Sequence, residues 1–183
     1  MHSSTGRYVV TYNGEIYNYR EVKKCLEKKG HVFRTSSDTE VMLASLEEDG
    51  LEKTLNIMNG MFALAVWDTQ KKILHIARDR IGKKPLYYGF INGNFVFSSE
   101  LKSFKRYPHF KPVLNKKALG LYLQYNFISA PDTIYEDIYK LPAAAYASIY
   151  EPNKVSVQRF WNASKISQQR KNNLSFSENI DRL

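Results

Sequence analysis

Residues 61–68 read MFALAVWD, an apolar run that ends at one acidic residue. A strand with one solvated face alternates apolar and polar residues, whereas this run is apolar at both alternating sets of positions. It therefore predicts a strand covered on both faces, in a sheet that lies between helices and a second sheet. Together with the helical patterns described below, this indicates an α+β fold.

Further strand-like runs follow at residues 72–78, 85–91 and 94–98. Turn signals at 69–70 and 92–93 separate neighbouring runs, so the pattern predicts an antiparallel meander. The last strand-like runs lie at residues 143–150 and 155–161, and they predict a closing hairpin.

Helical patterns stand on both sides of these strands. Residues 19–29 carry apolar side chains at helical spacing and end at Gly30, which is typical of a helix C-terminus. We expect Cys25 to lie on the buried face of this helix, as a structural thiol. Residues 37–40, SDTE, fit a capping box that opens a second helix. Two more helical runs lie at 100–106 and 116–124.

The segment NGEIYN, residues 13–18, follows a predicted strand at residues 7–12. On its own, Asn13-Gly14 predicts a turn. The same pair can also form an oxyanion hole, because a glycine lets its N–H approach a substrate carbonyl while the Asn amide supplies a second donor. Local sequence leaves both interpretations open.

Composition bounds the class of protein. The 183 residues are 43% hydrophobic, enough for one substantial core. The longest apolar stretch is far below the ~20 residues needed to span a bilayer, and the N-terminus does not resemble a signal peptide, so we expect a cytoplasmic protein. The four histidines lie at no metal-ligand spacing from one another or from Cys25, and no metal site is expected.

The net charge of +9 raises the question of a nucleic-acid partner. Most of the surplus is dispersed, but residues 101–131 combine six basic residues, no acidic residue and several aromatic residues. That pattern is compatible with RNA binding. A solvated surface is the interpretation we favour, with RNA binding as the alternative.

Six segments, taken in order, closely resemble the amidotransferase domain of glutamine-dependent asparagine synthetases: NGEIYN, SSDTE, GMFALAVWD, ARDRIGKKPLYYG, FSSELKS and TIYEDIYKLP. The resemblance runs from residue 7 to residue 161. It implies an incomplete αββα sandwich of the N-terminal nucleophile hydrolase type. Residues 1–161 would be this domain without its N-terminal part, and residues 162–183 a linker and helix start toward an absent synthetase domain.

The family's chemistry implies roles for matching residues. A cysteine attacks the side-chain amide of glutamine, and the ammonia passes to a domain that uses ATP and Mg to amidate aspartate. By motif, Asn13 and Gly14 correspond to the oxyanion hole, and Glu15 and Asp38 to the groups that bind the α-ammonium of glutamine. For Asp38, a helix-start role is an equal and compatible alternative.

The RDRxGxKPLYY signature contains Arg78, Asp79, Lys84 and Pro85. For these residues we predict a structural ion-pair role rather than a catalytic one.

Departures from the family pattern shape the expectations for this chain. His2 follows Met1 where the family has its nucleophilic cysteine, so we expect the chain alone to be inactive. Absent N-terminal strands predict unpaired strand edges and marginal stability. Ala143-Ala144 replaces a common Pro-Gly, so the local turn is expected to differ.

Three alternatives remain open: an amidotransferase with another acceptor, a non-catalytic binding module, and a fragment complemented by a separate N-terminal piece. A homodimer is also left open.

Overall fold

The computed structural model describes residues 1–151 and 154–164. Within them, the strands are β1 (Tyr8–Ile16), β2 (Gly60–Asp68), β3 (Ile73–Arg78), β4 (Tyr87–Ile91), β5 (Asn94–Ser98), β6 (Ile138–Lys140), β7 (Ala145–Glu151) and β8 (Lys154–Arg159). The helices are α1 (Tyr19–Glu27), α2 (Asp38–Asp49), α3 (Leu51–Ile57), α4 (Leu101–Phe104) and α5 (Lys116–Tyr125). Most of the predicted linker, residues 165–183, lies outside the described residues.

The strands form two antiparallel sheets. The first has the order β1-β2-β3-β7-β8, and the second has the order β5-β4-β6. The apolar run predicted to be covered on both faces is β2, which is paired on both sides and buried without interruption from Phe62 to Val66. That prediction is confirmed, as is the closing hairpin, which β7 and β8 form.

Three cores separate four layers. The first lies between the helices and the first sheet, and includes Met42, Leu46, Leu55, Val10 and Val66. The second lies between the two sheets, and includes Ala65, Ile76, Leu86, Tyr88 and Leu141. The third covers the outer face of the second sheet, and includes Phe104, Ile91 and Ile138. The order is therefore helix, sheet, sheet, helix, and the predicted αββα arrangement is confirmed.

The turn predicted at Asn13-Gly14 is wrong. β1 runs straight through the pair, with Asn13 opposite Ala63 and Gly14 opposite Phe62. A Cβ atom on Gly14 would lie 2.2 Å from the Met61 carbonyl oxygen. The glycine is thus required by the close approach of β2 rather than by a turn.

The predicted meander is also wrong, because the four strands are divided between the two sheets. β2 and β3 form a hairpin in the first sheet, and β4 and β5 form one in the second. Residues 79–86 carry the chain across. Helix α3, which starts after Gly50 at φ 77°, was not predicted.

Two predictions about the helices need correction. Ser37 accepts a hydrogen bond from the Thr39 N–H at 3.2 Å, but Glu40 does not complete a capping box. Instead, Glu40 accepts from the backbone N–H groups of Arg34 and Thr35, both at 2.8 Å, and so closes the preceding loop. Cys25 is exposed, because its neighbour Leu26 is the residue that α1 buries.

No helix in the described part of the chain has both the length and the apolar character that a membrane crossing requires.

Candidate functional site

The outer edge of β1 brings several of the predicted residues together. Backbone N–H groups of alternate residues point to the same side of an antiparallel strand. On the side away from β2, the Val10 N–H donates to the Met1 carbonyl at 2.9 Å, and the Ile16 N–H donates to Asp38 at 3.0 Å. The N–H of Gly14 therefore faces the same edge. The edge that was expected to be unpaired is thus partly covered.

Asn13 projects from the opposite face of β1, toward the second sheet. Its Nδ2 donates to Ser99 Oγ at 3.2 Å, and Ser99 directly follows β5. An amide nitrogen carries two hydrogens, so this contact leaves one N–H of Asn13 for another acceptor. A cavity of about 210 Å³ adjoins it, lined in part by Leu86 and Phe97.

Asp38 is the first residue of α2, where the positive end of the helix dipole favours a carboxylate. Its Oδ2 accepts two hydrogen bonds, from the Tyr12 hydroxyl and from the Ile16 N–H, both at 3.0 Å. Its Oδ1 accepts one longer bond, from Thr39 Oγ1 at 3.3 Å. The helix-start role is therefore present, and it leaves Oδ1 with acceptor capacity.

Tyr12 was not singled out by its sequence. Its side chain is half-buried against the first core, and burial raises the pKa of its hydroxyl, with further increases from the negative charges of Asp38 and Glu15. The hydroxyl is therefore a neutral donor at physiological pH. The two-residue alternation of a strand could have identified it, since this alternation places Tyr12 on the same face as Gly14 and Ile16.

Glu15 lies one residue beyond Gly14, on the Asn13 side of the strand, and its side chain is exposed. The structure thus brings Asn13, Gly14 and Asp38 to one end of β1, with Glu15 beside them. Ser99 belongs to the FSSELKS motif but was not assigned a role in advance.

The predicted ion pair in the RDRxGxKP segment is wrong, although the structural role is right. Arg78 donates to three backbone carbonyls, those of Gly82, Lys84 and Leu141. The fully buried Asp79 accepts from four backbone N–H groups, those of Phe62, Ile81, Lys83 and Lys84.

The basic segment at residues 101–131 does not present its aromatic side chains as one surface. Phe104 is buried, and Tyr107 and Phe110 pack against the third core. Tyr122 and Tyr125 are 48% and 63% exposed. RNA binding stays an untested alternative to the solvated surface.

Among residues 1–151 and 154–164, no group of three or more His, Cys, Asp or Glu side chains could hold a metal ion.

Comparison with solved structures defines the class of fold. The glutamine phosphoribosylpyrophosphate amidotransferase of B. subtilis, complexed with ADP and GMP, is 20% identical with a TM-score of 0.62, over 88% of this chain and 31% of that one. A structure described as the allosteric regulatory enzyme of purine biosynthesis is 21% identical with a TM-score of 0.62, over 84% and 28%. This chain therefore shares its fold with part of each of these two chains.

Residues 1–161 match the family described as "Glutamine amidotransferase domain", and the chain belongs to that family. Asparagine synthetase [glutamine-hydrolyzing] 3 of Bacillus subtilis (strain 168) is 35% identical over 85% of this chain and 25% of its own length. Asparagine synthetase [glutamine-hydrolyzing] 2 of Oryza sativa subsp. japonica is 43% identical over 64% of this chain and 21% of its own length. The chain thus spans about a quarter of the curated relatives it matches.

Proposed function

We propose that this chain forms the glutaminase half of a glutamine-hydrolysing asparagine synthetase. The observation that carries the proposal is that the Gly14 N–H, the Asn13 amide and the Asp38 carboxylate all lie at one end of β1. Two relatives, at 35% and 43% identity, are named asparagine synthetases, and this supports aspartate as the acceptor of the ammonia. In this proposal, the domain that uses ATP and Mg lies in the larger part of the relatives' length.

The donors suit the first chemical step. A thiolate attacks the side-chain carbonyl carbon of glutamine, and negative charge develops on the carbonyl oxygen. Gly14 N–H and the second Asn13 N–H would stabilise that charge as an oxyanion hole. The C–N bond then breaks, the nitrogen takes up a proton and leaves as ammonia, and water hydrolyses the thioester to glutamate.

Two carboxylates account for substrate recognition. Glu15 and Asp38 would pair with the α-ammonium of glutamine, so a ligand without this amine would lose a charge-assisted contact. The proposal also places the protein in the cytoplasm, where such biosynthesis takes place.

The nucleophile in this proposal comes from outside these 183 residues. The single cysteine of the sequence, Cys25, is exposed on α1 in the helical layer. The Asn13 side chain instead faces the second sheet. A cysteine on a preceding segment, covalently joined or separately supplied, would complete the site.

Titration of ¹⁵N-labelled chain with L-glutamine, followed by NMR, tests the site. We expect shifts of the Gly14 and Ile16 amide signals, and at least tenfold weaker binding by Asp38→Ala. Glu27→Ala removes an exposed carboxylate from α1 and serves as the matched control. Unchanged Gly14 and Ile16 signals at saturating glutamine would refute the assignment.

RNA binding is a second candidate because Tyr122 and Tyr125 are exposed on the same helix, α5, as the exposed Lys116 and Lys117. An affinity for single-stranded RNA that falls steeply with salt would favour it. An absence of RNA binding at low salt would exclude it.

A further inference from the structure

We propose that Tyr12 is a positioning residue for recognition of the α-ammonium group, acting through Asp38. This inference rests on the proposed function and adds to it a determinant of selectivity for the amine. Tyr12 does not itself contact the substrate in this account; it fixes the carboxylate that does.

The hydrogen bonds around Asp38 are unevenly shared between its two oxygens. Tyr12 and the Ile16 N–H both donate to Oδ2 at 3.0 Å, whereas Oδ1 receives from the described residues only the 3.3 Å bond of Thr39. Two donors on one oxygen fix the position and rotation of the carboxylate. The other oxygen keeps the free lone pair that an ammonium group requires.

Both donors come from the strand that carries the oxyanion donors. Tyr12, Gly14 and Ile16 lie at alternate positions of β1, and β1 is paired with β2 over its whole length. Tyr12 also packs against the core between the helices and the first sheet. The separation between the Asp38 carboxylate and the Gly14 N–H is thereby set by one rigid strand.

The chemical type of the donor matters as well. A lysine or arginine at this position would neutralise the carboxylate and compete with the ligand's ammonium. The Tyr12 hydroxyl donates a hydrogen bond without adding a positive charge. Burial, with the charges of Asp38 and Glu15, raises its pKa and keeps it protonated.

The test compares two ligands that differ only in the amine: L-glutamine and glutaramic acid, which lacks the α-amino group. Affinities are measured by titration calorimetry or ligand-observed NMR for the wild-type chain, Tyr12→Phe and Tyr8→Phe. The last variant removes a hydroxyl from the same face of β1 and is the matched control. Thermal unfolding verifies that each variant is folded.

We expect Tyr12→Phe to bind L-glutamine about five- to tenfold more weakly, because Asp38 Oδ2 loses one of the two hydrogen bonds that hold the carboxylate in place. Its affinity for glutaramic acid should match the wild type, and Tyr8→Phe should change neither value. In an Asp38→Ala background, the Tyr12 change should have no further effect on glutamine affinity.

Equal weakening for both ligands would overturn the inference, because it would indicate a general structural role. Unchanged glutamine affinity in a folded Tyr12→Phe variant would also overturn the inference. Neither result would contradict the proposed function. If the wild-type chain does not prefer L-glutamine to glutaramic acid, the proposed function itself fails, and the inference with it.

Discussion

Arg78 and Asp79 are adjacent in the chain, and both bind the backbone of the loop that follows them. Arg78 donates to its carbonyl groups, and Asp79 accepts from its N–H groups. The guanidinium of Arg78 donates to the carbonyls of Gly82 and Lys84, both at 2.6 Å. The carboxylate of Asp79 accepts from the N–H groups of Lys83 and Lys84, both at 2.9 Å. This loop carries the chain from the first sheet to the second, so the two side chains hold the sheets in relation to each other.

Asp79→Asn tests the importance of this arrangement. The amide would place donor hydrogens against backbone N–H groups, leaving buried donors unsatisfied, and we expect a loss of about 3 kcal/mol in the free energy of unfolding. Urea denaturation measures the change. Asp132→Asn is the control, because its contact with Lys117 is long, at 3.9 Å, and partly exposed. Similar losses in both variants would contradict the account.

Gly14→Ala tests the close approach of β1 and β2. The added Cβ would meet backbone atoms that cannot move away, at 2.2 Å from the Met61 oxygen and 2.7 Å from the Phe62 Cα. We expect at least about 3 kcal/mol of destabilisation, or failure to fold. Gly120→Ala on α5 meets no atom within 4 Å and should stabilise the helix by up to about 1 kcal/mol. A mild effect of Gly14→Ala would show that the strands can separate at this position.

Ala144 is a non-glycine residue in the left-handed region, at φ 57°. This conformation costs an alanine about 1–2 kcal/mol and a glycine almost nothing. We expect Ala144→Gly to be more stable than Ala143→Gly by about 1 kcal/mol in thermal or chemical unfolding. Ala143 lies in the same turn without a positive φ. Equal stabilities would mean that the turn relaxes around the alanine.

His75 should make the fold sensitive to acid. Its ring lies 2.8 Å from the hydroxyl of buried Ser148, and burial lowers the pKa of the imidazole. The unfolded chain, with a histidine pKa of about 6.5, then binds more protons than the folded chain. Stability should therefore be fully present above that value and decline as the pH falls below it.

Unfolding temperatures at pH 7.5 and pH 5.5 test the role of His75. We expect the unfolding temperature of His75→Gln to fall less between pH 7.5 and pH 5.5 than that of the wild type. His109→Gln, at an exposed histidine, is the control. An identical drop in His75→Gln and the wild type would assign the acid sensitivity to other groups.

Sequence patterns were sufficient to predict the strands whose local apolar periodicity agrees with their burial in the fold. Strand β2, which is apolar on both faces, and the hairpin of β7 and β8 are examples. In both, the residues that are apolar in the sequence are those that pack against other parts of the fold. The Asn13-Gly14 pair shows the opposite case. The pair favours a turn locally, but pairing of nine residues of β1 with β2 keeps it in a continuous strand. No residue near Asn13 in the sequence indicates this pairing.

The contacts of the site depend on residues far apart in sequence. Asn13 meets Ser99 and Tyr12 meets Asp38 only because two sheets and a helix end come together. The motifs therefore indicated which residues to propose for the site, but not which partners orient them. The exposed position of Cys25 was missed because one residue of helical rotation separates it from Leu26.

The most direct test of the central claim is ammonia release from L-glutamine. The chain is joined to a preceding segment that supplies a cysteine nucleophile, and compared with its Asn13→Ala variant and an Asn94→Ala control on β5. We expect activity that Asn13→Ala lowers by about 10²–10³ in kcat, with the control unaffected. Full activity in a folded Asn13→Ala variant, or no ammonia release from the joined wild-type chain, would contradict the assignment of this strand edge as the glutaminase site.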